Sequence, residues 1–139
     1  MSDYPHRTPP KIIAIANQKG GVGKTTTTIN LGAALAETGI NVLIVDLDPQ
    51  GNASTGLGIG QNDRRYTTYD MMIEEVPLPD VIHATQNENL SIIPSTVDLS
   101  SADIELISNE KRIFLLRDAL RRQSLVPYGF EYVLIDCPP

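Results

Sequence analysis

One segment near the N-terminus combines the residue types and the spacing that bind phosphate groups. Residues 17–26 read Asn-Gln-Lys-Gly-Gly-Val-Gly-Lys-Thr-Thr. Glycines allow consecutive backbone N–H groups to point towards one anion, and a helix that begins at the end of the loop adds further N–H donors. In this arrangement Lys24 supplies a positive charge for the β- and γ-phosphates, and the Thr25 hydroxyl is placed to bind Mg²⁺. The predicted phosphate-binding residues of the loop are Lys19, Gly20, Gly21, Val22, Gly23, Lys24, Thr25 and Thr26.

The elements on either side of this loop have the order that a phosphate-binding loop requires. A β-branched strand, Lys11–Ala16, runs into the loop, and a helix rich in small and apolar residues, Thr25–Glu37, runs out of it. A glycine-rich hairpin with an incidental lysine is the alternative, but the agreement of strand, loop and helix favours phosphate binding. The loop departs from the standard pattern at Gln18, where a glycine is expected, and it carries a second lysine, Lys19.

A second motif places two carboxylates at the end of the next predicted strand. Asn41–Asp46 is a continuous apolar run that ends in an aspartate, as in buried parallel strands, and Asp48 follows within Asp-Leu-Asp-Pro-Gln-Gly-Asn. Two residues that are two apart at a strand end point to the same side, and ligands of open α/β sheets gather at this edge. A plain Asp-Pro turn is the alternative. The position about one βα unit after the loop favours a metal–phosphate site.

A third aspartate ends an apolar strand near the C-terminus, predicted at Glu131–Asp136. Such an aspartate can hold a Mg²⁺-bound water, whereas the alternative is a residue that only begins a turn. Because the first two motifs are already present, the sequence favours the metal role for Asp136.

Predicted strands alternate with predicted helices, which indicates βαβ units and a parallel sheet. We therefore predict an α/β fold of the P-loop NTPase class: a doubly wound, mostly parallel sheet with helices on both faces, incomplete and with about four strands. Residues 1–10 are expected to form a flexible arm and residues 11–139 the N-terminal part of a longer P-loop domain, because the chain stops directly after a core strand. The other predicted elements are a loop at 47–60, a short helix at 66–75 capped by Thr67 or Thr68, a helical turn at 80–84, a strand at 90–93, a helix from Ser100 to about Ile107 and a helix at 110–122.

Composition narrows the classes of protein that remain. The chain has 139 residues, a net charge of −6 and one cysteine, Cys137. This length fits one domain at most, and one cysteine excludes a disulfide framework. The net negative charge argues against a protein whose whole surface binds nucleic acid. The first ten residues have too little apolar character for a signal peptide and no run approaches membrane-spanning length, so we expect a cytoplasmic protein.

The three motifs together resemble those of the ParA and MinD group of partition and positioning ATPases, whose deviant loop reads Lys-Gly-Gly-x-Gly-Lys-Thr. The second motif is most similar to that of the ParA or Soj partition ATPases. The resemblance implies binding of ATP with Mg²⁺. It implies that Asp48 orients or polarises the attacking water, that Asp46 lies near the Mg²⁺ shell, and that Lys19 reaches the phosphates bound by a partner subunit. The predicted catalytic residues are then Lys19, Lys24 and Asp48, and the predicted metal site consists of Thr25, Asp46 and Asp136.

The resemblance also implies partners. An ATP-dependent homodimer would bind DNA without sequence preference, associate with the nucleoid, and be stimulated by a ParB-like centromere-binding protein, with no membrane association. A MinD-like membrane-positioning ATPase is an alternative that needs a C-terminal amphipathic helix and usually lacks the Pro-Gln-Gly-Asn motif. A nitrogenase-type iron–sulfur reductase needs bridging cysteines, which one cysteine does not supply. A fragment that is not catalytic by itself is a further alternative. The basic residues of the helix at 110–122 are interpreted as a solvated face.

Overall fold

The structure is a computed structural model that describes residues 9–15, 23–96, 109–122 and 124–137. Within these residues the strands are β1 at Lys11–Ile15, β2 at Val42–Asp46, β3 at His83–Ala84, β4 at Leu90–Ile93 and β5 at Tyr132–Asp136. They form one sheet in the order β1-β5-β2-β4-β3. Neighbouring strands are parallel except for β3, which pairs with β4 in the antiparallel direction.

The helices of the described residues cover both faces of this sheet. They are α1 at Lys24–Glu37, α2 at Asn52–Gly56, α3 at Thr68–Met72, α4 at Leu78–Val81 and α5 at Asn109–Arg122, with short 3-10 turns at Gln61–Asp63 and Val126–Tyr128. Alternate residues of a pleated strand face opposite sides, so each face of β2 contributes to a different apolar cluster. One cluster joins the sheet to α3, α4 and α5 and includes Leu43, Val45, Met71, Leu78 and Leu116. The other joins the sheet to α1 and α2 and includes Val42, Ile44, Ala36 and Ala53.

Strand β5 lies in the sheet between two strands that precede it in sequence. Its register aligns Asp136 with Ile15 of β1 and with Asp46 of β2. Parallel strands end on the same side of a sheet, and ligands of such sheets bind at the carboxyl ends. The two strand-end aspartates therefore occupy adjacent positions at the edge where ligands of this fold class bind.

The predicted fold class is confirmed by a mostly parallel sheet with helices on both faces. The predicted strands at 41–46, 90–93 and 131–136 and the helices that begin near Lys24 and Glu110 agree with the structure to within one residue at each end. Of the two candidate caps for the third helix, Thr67 is correct, because its hydroxyl and the Asp70 carboxylate form a capping box. That helix is shorter than predicted and ends at Met72, before Glu75, whose φ is positive at 56°.

Two local predictions were wrong. The loop predicted at 47–60 contains α2, which begins after Gly51 because the Asp46 carboxylate accepts a hydrogen bond from the backbone N–H in its first turn. The helical turn predicted at 80–84 is displaced: α4 ends at Val81, and His83–Ala84 forms β3, one strand more than predicted. A proline is favourable in the first turn of a helix, which explains why α4 begins early.

Some predictions lie outside the described residues. They include the arm at 1–8, the helix that begins at Ser100, and the segment from Ala16 to Val22. No helix of the described residues has the length and apolar character that crossing a bilayer requires.

Candidate functional site

The site is built around the first turn of α1. Gly23, with a φ of 97°, directly precedes Lys24 and allows the chain to enter the helix in a left-handed conformation. The first N–H groups of an α-helix have no carbonyl partner within the helix, so this turn directs N–H donors and a partial positive charge beyond its end. Gly23, Lys24, Thr25 and Thr26 are thus described at the helix start, whereas Lys19, Gly20, Gly21 and Val22 lie outside the described residues.

Three side chains of α1 converge on the Asp136 carboxylate. Lys24 forms an ion pair with Oδ1 of Asp136, and both groups are buried. The Thr25 hydroxyl donates to Oδ2 at 3.0 Å. The Thr28 hydroxyl lies 3.2 Å from Oδ1 and 3.0 Å from the Lys24 carbonyl oxygen. The structure therefore brings together the predicted phosphate-binding lysine, the predicted metal-binding threonine and the aspartate of the third motif.

The neighbouring aspartate, Asp46, has a different set of partners. Its Oδ2 accepts hydrogen bonds from the Ser54 hydroxyl at 2.7 Å and the Ser54 N–H at 2.9 Å, and its Oδ1 accepts from the Asp48 N–H at 3.1 Å. Burial raises the pKa of Asp46 from 3.8 to about 6; its hydrogen bonds oppose this rise, and the negative charge of Asp136 adds to it. Asp46 thus connects the end of β2 to α2.

Asp48 is held by the turn that follows it. Its Oδ1 accepts from the Gln50 N–H at 3.1 Å, and its Oδ2 accepts from the Asn52 amide at 2.9 Å. The Gly51 N–H donates to the Asp48 carbonyl at 2.9 Å. Only 6% of Asp48 is exposed. The Asp-Pro-Gln-Gly-Asn sequence therefore fixes the carboxylate of its own first residue.

Sequence reasoning missed three residues of this region. Thr28 follows Lys24 by one helical turn, so helical spacing could have identified it. Ser54 and Ser95 carried no recognisable signal, because their roles depend on contacts between distant segments. The Ser95 N–H donates to the Ser54 hydroxyl at 3.0 Å, and the Ser95 hydroxyl donates to the Asp48 carbonyl at 2.6 Å.

The donor set fits Mg²⁺ rather than a metal that is bound by protein ligands alone. Among the described residues, no group of three or more His, Cys, Asp or Glu side chains could hold a metal ion. Mg²⁺ is usually bound by one or two carboxylates together with water and substrate phosphates. The Thr25 hydroxyl and the Asp136 carboxylate supply oxygen atoms of this kind at the start of α1.

Comparison with known proteins identifies the family. A family model described as an AAA domain matches residues 10–139. The chain belongs to this AAA domain family. The chain is similar in sequence to the chromosome partitioning protein ParA of Caulobacter vibrioides, which is 54% identical over 132 residues, 94% of this chain and 49% of that protein. The sporulation initiation inhibitor protein Soj of Bacillus subtilis is 51% identical over 129 residues, 93% of this chain and 50% of that protein.

A solved structure extends the comparison to the fold. Cobyrinic acid a,c-diamide synthase from Mycobacterium smegmatis, with a bound ATP analogue and magnesium, has a TM-score of 0.78 and 37% identity over 94% of this chain and 52% of that chain. The predicted resemblance to ParA and Soj and the P-loop NTPase fold are thereby confirmed. The chain spans about half the length of the curated relatives it matches.

Proposed function

We propose that this chain contributes the ATP- and Mg²⁺-binding site of a ParA/Soj-type partition ATPase. The observation that carries the proposal is the convergence of Lys24, Thr25 and Thr28 on Asp136 at the start of α1. A cation, a hydroxyl and a carboxylate beside a helix N-terminus are the groups that bind a nucleoside triphosphate with its metal ion. The similarity to ParA and Soj supports the partition role.

Each residue has a distinct role in this proposal. Lys24 binds the β- and γ-phosphates, and Thr25 supplies a hydroxyl oxygen to the metal ion. Asp136 and Asp46, which occupy adjacent positions at the sheet edge, are the carboxylates that would hold the metal ion or its bound water. When bound, Mg²⁺ neutralises charge that develops on the phosphates during transfer. Val22 and the glycines of the loop contribute backbone N–H donors.

Asp48 is the proposed residue that orients the attacking water. A water-positioning residue must be held in a fixed geometry, because small misplacements reduce the rate strongly. The hydrogen bonds from Gln50 and Asn52 restrain both oxygens of this carboxylate. One lone-pair direction on each oxygen remains for a water, since a carboxylate has about four acceptor sites.

For the whole protein we propose an ATP-dependent homodimer in which Lys19 of each subunit contacts the phosphates bound by the other. Hydrolysis would then depend on dimer formation, as with an arginine finger supplied in trans. The dimer would bind DNA without sequence preference, and a ParB-like partner would stimulate turnover. Such DNA binding weakens as salt rises, because the contacts are made to phosphates.

Nucleotide binding is the first test. We expect a fluorescent ATP analogue with Mg²⁺ to bind the chain, and Lys24→Ala to abolish binding. Lys24→Arg retains a positive charge beside Asp136 but presents a planar fork instead of a compact ammonium, so we expect it to fold and to bind poorly. Lys11→Ala removes an exposed lysine of β1 and is the matched control. Tight binding by a folded Lys24→Ala variant would refute the assignment of the loop.

Hydrolysis is the second test, made on the whole protein with its DNA and partner. Asp48→Ala should bind ATP and dimerise but hydrolyse little, whereas Asp63→Ala, in an exposed 3-10 turn, should hydrolyse normally. Normal phosphate release by Asp48→Ala would remove Asp48 from its role. Retention on DNA with ATP but not with ADP, lost at high salt, supports partition, whereas ATP-dependent binding to liposomes would support the MinD-like alternative.

A further inference from the structure

Arg64 is a buried arginine that no motif of the sequence indicated. It directly follows the 3-10 turn at Gln61–Asp63, and only 6% of it is exposed. Its guanidinium donates to the Ile59 carbonyl from Nε at 3.0 Å and from Nη2 at 2.8 Å. It also donates from Nη2 to the Thr55 hydroxyl at 2.9 Å and from Nη1 to the Ser95 carbonyl at 3.1 Å.

All of these acceptors are uncharged. The ion pairs formed among residues 9–15, 23–96, 109–122 and 124–137 do not include Arg64. A buried guanidinium without a carboxylate carries a desolvation cost that a hydrophobic residue of the same volume would avoid. The guanidinium instead holds several acceptors in fixed relative positions, because its N–H donors form a rigid planar fork. Here it connects α2, the loop after α2 and the segment after β4.

The same guanidinium supports the turn that holds Asp48. Ser95 links the two groups, because its carbonyl accepts from Arg64 while its hydroxyl donates to the Asp48 carbonyl at 2.6 Å. Gly51, in a left-handed conformation with a φ of 65°, packs directly against this pair. A Cβ atom at Gly51 would lie 2.5 Å from Nη1 of Arg64 and 2.7 Å from the Ser95 carbonyl oxygen. Both ends of the turn from Asp48 to Gly51 therefore contact the Arg64–Ser95 pair.

We propose that Arg64 is a positioning residue for Asp48: its guanidinium and Ser95 fix the turn from Asp48 to Gly51, and so aim the Asp48 carboxylate at the attacking water. This inference rests on the proposed hydrolytic function of the site. Arg64 does not itself contact the nucleotide in this proposal. Substitution of Arg64 should therefore reduce the rate of hydrolysis without reducing affinity for ATP.

The test is a steady-state ATPase measurement on the whole protein with its DNA and partner. A lysine at position 64 retains the charge but cannot reach the three acceptors together. We expect Arg64→Lys to lower kcat by about 10- to 100-fold, the effect of a misplacement near 1 Å, with KM changed less than about twofold. Arg65→Lys is the matched control, because Arg65 is exposed and lies over the Tyr66 ring at 5.4 Å from its centroid. Unchanged kcat, or a loss confined to KM, would overturn the proposal.

A double variant separates positioning from a general loss of structure. If Arg64 acts through Asp48, then Arg64→Lys should cause no further loss of kcat in the Asp48→Ala background. Equal fold losses in both backgrounds would overturn the proposal. If Arg64→Lys does not fold, Ser95→Ala tests the same link, because it removes only the hydroxyl that donates to Asp48. We expect the same loss of kcat with KM unchanged, and normal turnover would contradict the link.

Amide hydrogen exchange provides a readout that does not depend on ATP hydrolysis. The N–H groups of Gln50 and Gly51 both donate to Asp48. We expect Arg64→Lys to speed their exchange by at least about tenfold while the Val45 amide in β2 is unchanged, because local opening then needs less free energy. If exchange is faster in the variant but the protein has no ATPase activity, the proposed function is refuted. The inference that Arg64 stabilises the turn from Asp48 to Gly51 would still hold. Unchanged exchange would overturn the inference about Arg64.

Discussion

Asp46 and Asp136 stand at matched positions on neighbouring strands, yet their carboxylates have different surroundings. Asp136 is bound by a lysine and two threonines of α1. Asp46 is bound by Ser54 and by the Asp48 N–H, and no lysine or arginine of the described residues pairs with it. We call the surroundings of Asp136 the first region and those of Asp46 the second region. The first region joins the end of β5 to the start of the long helix α1. The second region joins the end of β2 to the short helix α2 and the turn before it.

This difference shows that the end of a strand does not by itself determine what an aspartate does. The segment that packs over the strand end supplies the partners, and the partners determine the role. Asp136 balances the charge of Lys24, whereas Asp46 acts as a distant cap for the first turn of α2. The two regions should therefore respond differently to the loss of a partner.

The largest expected effect is in the first region, where removal of Lys24 leaves a buried carboxylate unpaired. We expect Lys24→Met to lower the free energy of unfolding by about 3–5 kcal/mol without nucleotide, as for other broken buried pairs. The double variant Lys24→Met/Asp136→Leu should recover most of this loss, because neither member of the pair then remains as an unpaired buried charge. Urea denaturation measures both, with Lys11→Met as the control. A single-variant loss below about 1 kcal/mol would mean that Asp136 does not depend on Lys24.

The second region should be most sensitive at Gly51. A left-handed residue other than glycine costs about 1–2 kcal/mol, and an overlap with packed atoms adds about 1–3 kcal/mol. We therefore expect Gly51→Ala to lower the free energy of unfolding by about 2–5 kcal/mol, measured by urea denaturation. Gly39→Ala is the control, because Gly39 has a φ of 88° but no atom within 4 Å of its Cβ position. Equal costs for the two variants would show that the contact with Arg64 contributes nothing.

Hydroxyl groups offer a direct comparison of the two regions. Ser54→Ala removes a donor to the buried Asp46 carboxylate, so we expect a loss of about 1.5–3 kcal/mol in urea denaturation. Thr28→Val removes a donor to Asp136, which retains Lys24 and Thr25, and we expect a loss of about 1 kcal/mol. A larger loss for Thr28→Val than for Ser54→Ala would indicate that the ion pair with Lys24 does not reduce the contribution of hydroxyl donors to Asp136.

The smallest expected effect is on the dependence of stability on pH. A folded-state pKa raised to about 6 means that the folded protein binds more protons than the unfolded chain between pH 4 and pH 6, so Asp46 lowers stability as pH rises through this window. Asp46→Asn lacks this titration. The free energy of unfolding of the variant, relative to that of the wild type, should therefore rise by about 1 kcal/mol from pH 5 to pH 7, measured by urea denaturation at each pH. A constant difference would show that the pKa of Asp46 is not raised.

The sequence predicted the first region more completely than the second. Lys24, Thr25 and Asp136 were identified because each lies in a short motif whose position relative to a strand or a helix determines where its side chain points. Thr28 was missed although it shares the helix face of Lys24. In the second region Asp46 and Asp48 were identified, but α2 was predicted as a loop because the carboxylate that bonds its first turn, Asp46, lies eight positions before Ser54 at the end of β2.

The contacts that local sequence could not reveal all join distant segments. Ser95 follows β4 and meets Asp48 across 47 positions of sequence, and Arg64 meets Ser95 across 31. No periodicity or turn signal marks such pairs. The same limitation explains why β3 was predicted as part of a helical turn: two residues carry no strand pattern, and pairing with β4 decides their conformation.

The position of β5 between β1 and β2 has a consequence for the order in which the molecule assembles. Strands β1 and β2 are synthesised early but have no hydrogen bonds to each other, since β5 separates them. Lys24 and Asp136, which meet in the same site, are 112 positions apart in the chain. Contacts of such long range form slowly, because a large loop must close first. A nascent chain therefore brings Lys24 and Asp136 together only after β5 has been synthesised and has inserted between β1 and β2.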